Sequence, residues 1–344
     1  MMKLSLQMHS LRSMNEWVDL ACRAEELGFA EIHIAERLDF PYPTWPTLFL
    51  MAEHTTRIGL GTGVTNPYSR HPAVTAKMIA MLDAYSRGRA SPGIGQGDLW
   101  QFDQLGIDHD RPLAALREAV LVIRHILSGK DDGFPGEVFS IQPGLDFKWK
   151  AYREYTPIFV GSRSPGGMAV AGEVGDELHL PNCVSPEFVA LAKEQVRKGM
   201  QKAGRTLTPG PSPRGRGELI PLASSPQCGV SLDREAAVRH CQERIGGFIE
   251  WMKVPCELMG IGQDEVARLS QAKRSGDRDY LHRNVTPRYM QAFAVAGTPQ
   301  AVIEQLETLA GLGLDHVTLN EPGPNLDEAL ELLGKEVLPY FSHQ

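Results

Sequence analysis

Residues 161–165, GSRSP, combine three kinds of group that bind anions. Pro165 is suited to the first position of a helix, where the backbone N–H groups have no partner within the helix. The Ser162 hydroxyl and the Arg163 guanidinium stand directly before that position. Together these groups predict a phosphate site. The alternative is an ordinary helix cap with an arginine that points into water.

A second candidate site lies within residues 57–77, RIGLGTGVTNPYSRHPAVTAK. Residues 58–64 alternate apolar side chains with glycine, which predicts a short buried strand. A polar turn follows, and His71-Pro72 begins a helix. A strand, a polar turn and a helix in this order can hold an anionic or heteroaromatic ligand at the helix N-terminus. The glycines at 59, 61 and 63 indicate either a flat ligand against the strand end or tight packing between strands.

The elements around these sites repeat one unit: a short strand, a polar loop, and an amphipathic helix that begins at a capping residue and proline. Strands are predicted at residues 4–8, 31–35, 58–64, 93–98, 157–161, 177–180, 219–224 and 315–319. Strands that alternate with helices pair in parallel, so we predict one (β/α)₈ TIM barrel domain over residues 1–344. A doubly wound open sheet is the alternative. It is weaker because Val64 stands where the third glycine of a dinucleotide fingerprint belongs.

The active face of such a barrel lies where its strands end. We expect it to collect these polar residues: Gln7, Glu36, Arg37, Thr65, Asn66, Gln96, Asp98, Ser162, Arg163, His179, Asn182, Asn320 and Glu321. The histidines show no metal-binding spacing, so no metal is predicted. His33 and His316 fall within strands and are interpreted as packed or surface residues, and His71 as a helix cap.

Two segments interrupt the repeat. Residues 131–150 are predicted as an excursion with a hairpin at residues 137–140. Residues 207–218, LTPGPSPRGRGE, have no periodicity and are predicted to be a disordered surface insertion. An arginine-rich clamp on an anionic ligand tail is the alternative for the second segment.

Composition excludes several classes of function. The chain has 344 residues and a net charge of −7, and no stretch is rich in Lys and Arg, so no nucleic-acid partner is expected. No apolar run is long enough to span a bilayer, and the start lacks the apolar core of a signal peptide. The five cysteines form no C-x-x-C pair. These features predict a cytoplasmic protein with reduced thiols.

The chain resembles the bacterial-luciferase-like (LLM) superfamily in GTGVTNPYSRHPAVTA, GRASPGIGQGD and PIFVGSRSPGGMAVAGEVGDEL. It is most similar to the deazaflavin-dependent branch, which uses coenzyme F420. The resemblance runs from Lys3 to Leu319 apart from the proline-rich insertion. It implies the same barrel, and a homodimer, since relatives commonly form dimers.

The resemblance also implies residue roles. A cis peptide between Gly63 and Val64 would support the deazaflavin ring, with Thr65 and Asn66 beside it. Gly161, Ser162, Arg163 and Ser164 would take the phosphate, and Gln96 would also contact the coenzyme. Asp98 matches an acid that lies near the substrate and can donate a proton, given a raised pKa. A helix cap is the alternative for Asp98.

The end of the second predicted strand differs from the deazaflavin-dependent branch. Relatives have an acid followed by histidine at its end, whereas this chain has Glu36-Arg37. Glu36 is therefore retained as a catalytic candidate, and the role of the histidine has no counterpart.

Three hypotheses for function follow. The first is hydride transfer between coenzyme F420 and a small organic substrate, for which a methylenetetrahydromethanopterin-like compound is one candidate. The second is an FMN-dependent monooxygenase of the same superfamily. The third is a barrel that binds a flavin without turnover. The identity of the coenzyme retained by the protein separates the first two.

Overall fold

Parallel strands alternate with helices in the computed structural model, which describes residues 2–145, 148–205 and 219–342. The strands are β1 (Lys3–Gln7), β2 (Glu31–Ile34), β3 (Gly59–Thr62), β4 (Gly93–Gly95), β5 (Phe134–Pro135), β6 (Ser140–Ile141), β7 (Phe159–Gly161), β8 (Glu177–Pro181), β9 (Leu222–Ser225), β10 (Gln227–Val230), β11 (Ala294–Gly297) and β12 (His316–Gly323).

The helices surround these strands. They are α1 (Met14–Leu27), α2 (Thr44–His54), α3 (Pro72–Tyr85), α4 (Leu99–Leu105), α5 (Pro112–Leu127), α6 (Pro165–Val174), α7 (Pro186–Lys202), α8 (Arg234–Phe248), α9 (Lys253–Leu258), α10 (Gln263–Ser275), α11 (Arg278–Asn284), α12 (Pro287–Phe293), α13 (Pro299–Gly311), α14 (Leu326–Leu332) and α15 (Leu338–Ser342), with a 3₁₀ turn at Ile249–Trp251 and a π-helical turn at Leu333–Val337.

Eight strands form the predicted barrel. They pair in parallel in the order β3-β2-β1-β12-β9-β8-β7-β4. Single bridges from Leu60 to Ala90 and from Thr65 to Ile94 join β3 to β4, the two ends of this order. The ring is therefore nearly closed, which confirms the (β/α)₈ barrel and excludes the open sheet.

Two strands that the sequence did not predict form a side sheet. β10 pairs with the carboxyl half of β12 and with β11, whereas the amino half of β12 pairs with β1 and β9. Pro226 separates β9 from β10 and cannot donate a backbone hydrogen bond there. The predicted seventh strand, residues 219–224, is observed as β9.

Capping residues set the starts of the helices as predicted. The side chains of His71, Ser164 and Ser185 each accept a hydrogen bond from a backbone N–H in the first turn, and proline follows each of them. The capping role predicted for His71 is confirmed. These caps place the N-termini of α3 and α6 at the carboxyl ends of β3 and β7.

The excursion at residues 131–150 contains the expected hairpin, but at a different place. β5 and β6 pair antiparallel, and the predicted residues 137–140 mostly form their connection. The backbone N–H groups of Glu137, Val138 and Phe139 donate to the Glu118 carboxylate, which explains why this stretch turns instead of extending. The predicted insertion at residues 207–218 lies outside the described residues.

The lumen of the barrel is polar. Along β1, Leu4 and Leu6 face the helices, whereas Ser5 faces inward and bonds to His316 at 2.7 Å. His33, His179 and His316 are buried, and their ring centroids lie 6.0 to 6.1 Å apart. They come from β2, β8 and β12, which are not neighbours in the ring, so they meet across the lumen. We call these three residues the histidine layer.

Two features are absent from the described residues. No helix among them has the length and apolar character that a bilayer span requires. Their His, Cys, Asp and Glu side chains also form no group of three or more that could hold a metal ion.

Candidate functional site

A cavity of about 650 Å³ opens at the carboxyl ends of the barrel strands. We call it the active cavity. Ten of the thirteen predicted polar strand-end residues line it: Gln7, Glu36, Arg37, Gln96, Asp98, Ser162, Arg163, His179, Asn182 and Asn320. Gly63, Val64 and Gly161 line it as well, whereas Thr65, Asn66 and Glu321 do not. Phe40, Trp100, Phe248 and Trp251 add aromatic surface. The structure therefore brings the phosphate site predicted at residues 161–165 and the end of the glycine-rich strand, Gly63-Val64, into one cavity, whereas the turn and the start of α3 do not line it.

Val64 forms a flat shelf in this cavity. The Gly63–Val64 peptide bond is cis, as the resemblance implies, and Gln7 Nε2 donates to the Gly63 carbonyl at 2.7 Å. The Val64 side chain fits between Gly95 and Gly161. A Cβ added at either glycine would lie 2.7 Å from a Val64 methyl group. The two glycines on β4 and β7 are therefore required for the shelf to form.

The start of α6 forms an anion-binding corner beside the shelf. Ser164 accepts a hydrogen bond from Gly167 N–H at 3.2 Å and donates to Gln96 Oε1 at 3.4 Å. Gly167 leaves room for Ser162, since a Cβ there would lie 2.1 Å from the Ser162 hydroxyl oxygen.

Arg163 makes no hydrogen bond or ion pair with any described residue. Desolvation lowers the pKa of Arg163, and the Asp98 carboxylate partly offsets this effect. A desolvated guanidinium without a partner favours an anionic ligand.

Both predicted catalytic carboxylates are ion-paired. Asp98 Oδ2 lies 2.8 Å from Arg37 Nη1, and Glu36 Oε1 lies 2.9 Å from Arg70 Nη2. Each acid therefore lies at the cavity with a guanidinium as its direct partner. The donor role of Asp98 stays a prediction, and it requires that a bound ligand displace Arg37.

Thr65 and Asn66 do not line the cavity. Both are buried behind its wall, where the Thr65 hydroxyl donates to Glu36 and Asn66 Oδ1 accepts from the N–H groups of Tyr68 and Ser69. They support Glu36 and the turn before α3, and their predicted contact with a coenzyme has no support in this geometry.

Sequence reasoning predicted Glu321 at this face but missed the cations beside it. Arg244 on α8 donates to Gln227 at 2.8 Å and lies 3.5 Å from the Glu321 carboxylate, with Lys273 on the same cavity wall. Glu321 also accepts the backbone N–H groups of His9 and Ser10. Arg244 and Lys273 lie within helices and carry no motif. His9 follows β1 by two residues, and this position was the only feature of the sequence that could have placed it at the cavity.

Burial keeps His9 neutral. Desolvation lowers its pKa to about 4, although the Glu321 carboxylate acts in the opposite direction. The His9 ring packs against Phe40 at 5.5 Å between ring centroids. The cavity wall beside β1 therefore carries a neutral imidazole and an anion, close to the cation of Arg244.

Comparison with known families identifies the family of this chain. Residues 2–316 match the family described as luciferase-like monooxygenase. The chain belongs to this family. The match covers the whole barrel up to the start of β12, including both parts of the active cavity described above.

Members of known activity resemble this luciferase-like chain over nearly its full length. A 5,10-methylenetetrahydromethanopterin reductase of Archaeoglobus fulgidus is 33% identical, over 90% of this chain and 93% of the relative. The corresponding reductase of Methanolobus tindarius is 32% identical, over 92% and 93%. A coenzyme F420 dependent tetrahydromethanopterin reductase from Methanopyrus kandleri superposes with a TM-score of 0.86 at 27% identity, over 99% of both chains.

Proposed function

We propose that this protein is an oxidoreductase that transfers a hydride between coenzyme F420 and a small organic substrate. The observation that carries the proposal is the pairing of a flat shelf at Val64 with an unpartnered guanidinium at Arg163, both on one cavity. A planar ring with a phosphate-bearing side chain fits that pair. The reductases of Archaeoglobus fulgidus and Methanopyrus kandleri support this choice, since the latter is described as coenzyme F420 dependent.

The residues present fit the coenzyme in two places. Val64, Gly63 and Gln96 would lie against the ring, and the Ser162 hydroxyl, the Arg163 guanidinium and the α6 N–H groups would hold the phosphate. When bound, the deazaflavin supplies the carbon that gives or accepts the hydride. The protein supplies orientation and exclusion of water.

The chain's own residues fix this geometry before any ligand arrives. Gln7 holds the Gly63 carbonyl, and Gly95 and Gly161 keep Val64 in place, so the shelf does not depend on the coenzyme. Asp98 and Glu36 remain the candidate catalytic carboxylates on the open side of the shelf. We propose a small organic substrate there, and a 5,10-methylenetetrahydromethanopterin-like compound is the first one to test because of the named relatives.

An FMN-dependent monooxygenase is the second candidate function, because the family itself is described as luciferase-like monooxygenase. It would use the same shelf and phosphate corner. The third hypothesis from the sequence is flavin binding without turnover. It differs from the first two functions only because the bound flavin would not be oxidised or reduced.

Coenzyme retention separates these functions. The purified protein is mixed with coenzyme F420 or FMN, passed over a desalting column and examined by absorption spectroscopy. We expect it to retain the deazaflavin and to reduce or oxidise it when 5,10-methylenetetrahydromethanopterin or its reduced product is added. Retention of FMN with oxygen consumption would replace the proposal by the monooxygenase. Retention of either coenzyme without redox change on any substrate would favour the binding protein.

We also propose that the protein is a cytoplasmic homodimer with no nucleic-acid partner. All five cysteines are free, which supports a reducing compartment. The net charge of −7 argues against nucleic acid. Light scattering of the purified chain tests the dimer, and a monomer at micromolar concentration would contradict it.

A further inference from the structure

A second cavity, of about 350 Å³, lies at the opposite end of the barrel from the active cavity. We call it the basal cavity. Lys3, Glu31 and Glu177, the first residues of β1, β2 and β8, line it, together with Ser91. The histidine layer lies between the two cavities. Polar side chains therefore extend along the lumen from one cavity to the other.

His179 is the member of the layer that reaches the active cavity. It lines that cavity and is only 5% exposed, and neither of its ring nitrogens has a hydrogen-bond partner among the described residues. Buried polar nitrogens normally have partners, so this pair requires a reason other than packing. A ring with one N–H and one free nitrogen can take a proton on one side and release one on the other.

His33 continues from His179 toward the basal cavity. Its ring centroid lies 6.0 Å from that of His179, and the Phe159 ring packs against both. A proton path between the two histidines requires one water between the rings. His33 Nε2 lies 3.0 Å from Glu31 Oε2, and Nδ1 is buried with no hydrogen-bond partner among the described residues. One nitrogen of His33 is therefore open to a further proton, and the other is already bonded toward the basal cavity.

Glu31 completes the connection. It accepts a hydrogen bond from Ser91 at 2.7 Å and lines the basal cavity, and 16% of its side chain is exposed. A carboxylate at that boundary can exchange protons with water.

We propose that His179, His33 and Glu31 form a proton path through the barrel, from the floor of the active cavity to the basal cavity. A proton accepted at one nitrogen of His179 is balanced by release of the proton on its other nitrogen. His33 accepts at Nδ1 and gives its Nε2 proton to Glu31, which releases it to water. Each ring ends neutral and in the opposite tautomer, and ring rotation restores the start. A path in the reverse direction uses the same atoms.

The proposal rests on the proposed function, because reduction of a neutral organic substrate by a hydride, or the reverse reaction, moves one proton as well. When bound beside the substrate, the coenzyme would supply or accept the hydride. The proton needs another route when those ligands fill the mouth of the cavity. Desolvation, and the nearby rings of His33 and His316, keep the pKa of His179 well below its ordinary value, although Glu31 acts in the opposite direction. His179 is therefore neutral at rest, as a relay requires.

His316 provides a matched control. Its ring is as buried as that of His33 and lies 6.1 Å from His179. Both of its nitrogens already have partners, Ser5 Oγ at 2.7 Å and Glu177 Oε1 at 3.2 Å. It therefore has no free nitrogen for a proton from His179.

The test measures exchange of the His179 ring N–H with solvent by NMR, using full-length protein labelled with ¹⁵N-histidine and saturated with coenzyme F420. We expect exchange in the wild type, and a decrease of at least about tenfold in His33→Phe. We expect a change of less than about twofold in His316→Phe, which removes a ring of the same size and burial. Glu31→Gln, a smaller change, should also slow exchange and serves if His33→Phe does not fold.

Two results would overturn the path. One is exchange that is unchanged in both His33→Phe and Glu31→Gln. The other is an equal decrease in His33→Phe and His316→Phe, which would point to altered packing. Coenzyme binding is followed separately by fluorescence. If the wild type does not bind the deazaflavin, the proposed function fails, while slower exchange in His33→Phe than in His316→Phe would still support the path in the free protein.

Discussion

Arg163 lies at the cavity wall with no hydrogen-bond or ion-pair partner among the described residues, and this makes it the most informative single residue. We expect Arg163→Ala to weaken coenzyme F420 binding at least about tenfold, because a charged hydrogen bond to the phosphate is lost. Fluorescence titration measures the change in Kd. Arg268→Ala, an exposed arginine on α10, is the control and should leave Kd unchanged. Equal affinities for the two variants would place the phosphate elsewhere.

Asp98 tests the chemistry in the same cavity. We expect Asp98→Asn to lower kcat with a 5,10-methylenetetrahydromethanopterin probe by about 10- to 100-fold, because the charge facing Arg37 is removed. The Kd for the coenzyme should remain within about twofold of the wild type, since the ring and phosphate contacts lie on other residues.

The pH profile then separates two roles of Asp98. Loss of one limb of the kcat profile in Asp98→Asn would identify the carboxyl group as the proton donor. An unchanged profile would leave it the role of orienting Arg37. A variant with wild-type kcat would remove Asp98 from the candidate catalytic residues.

At the scale of elements, β4 and β7 shape the shelf because Gly95 and Gly161 have no side chains where Val64 packs. We expect Gly161→Ala to destabilise the protein by about 1–3 kcal/mol, because its Cβ would push against Val64. It should also weaken coenzyme binding. Gly311→Ala, where a Cβ meets nothing within 4 Å at the end of α13, is the control. Urea unfolding and fluorescence titration measure the two effects, and intact binding in Gly161→Ala would contradict the shelf.

Glu25 joins α1 to the start of β3. Its carboxylate accepts the backbone N–H groups of Thr56, Arg57 and Ile58. Partial desolvation by itself raises the pKa of Glu25, but these donors outweigh it and lower the pKa to about 2. The stabilisation is therefore fully present above the ordinary value of 4.5 and is lost as pH falls through about 2.

We expect Glu25→Gln to lower the free energy of unfolding at pH 7 by about 1.5 kcal/mol. The difference from the wild type should shrink as the pH falls from 4.5 toward 2. Glu26→Gln, the exposed neighbouring glutamate, is the control. Urea unfolding at several pH values measures both variants. If the difference in unfolding free energy between Glu25→Gln and the wild type stays the same at low pH, the charge of the Glu25 carboxylate does not stabilise the contact between α1 and β3.

Some elements could be predicted from sequence and others could not. The starts of α3, α6 and α7 were predictable because a capping side chain followed by proline is a local signal. β10 and β11 were missed because QCGV and AVAG are short, and Gly and Ala in them have little strand propensity. Their identity as strands depends on pairing with the distant carboxyl half of β12, and no local pattern carries that information.

At the scale of the whole molecule, His179 in the histidine layer makes stability depend on pH. Desolvation, with the neighbouring His33 and His316, lowers the pKa of His179, and Glu31 only partly opposes this. The unfolded chain therefore binds a proton at a higher pH than the folded chain does. Stability from this group is fully present above the ordinary value of 6.5 and declines as pH falls below it.

We expect His179→Gln to flatten the loss of unfolding free energy between about pH 6.5 and 5, because glutamine does not titrate. Urea unfolding across that range measures the slope. His54→Gln, an exposed histidine on α2, should keep the wild-type slope. A steep loss that remains in His179→Gln would assign the acid sensitivity to another group.

The residues of the candidate site, like the elements, could be predicted from sequence only in part. The barrel rule located Gln96, Asp98, Ser162 and Arg163, because strand ends meet at one face whatever the side chains are. It did not locate Arg244 or Lys273, since these lie on α8 and α10 and reach the cavity only through tertiary packing. The inward direction of His33 and His316 was equally hidden, because a strand pattern does not tell the lumen from the helix-facing side when both are buried.

The side sheet formed by β10, β11 and the far half of β12 has one more consequence. Residues 231–293 leave and re-enter the fold through this sheet and bring Arg244, Trp251 and Lys273 to the cavity. The eight-stranded ring, the shelf and the phosphate corner are all built without that segment. Such a module could be exchanged between homologous enzymes, so that new substrate preferences arise on an unchanged redox scaffold.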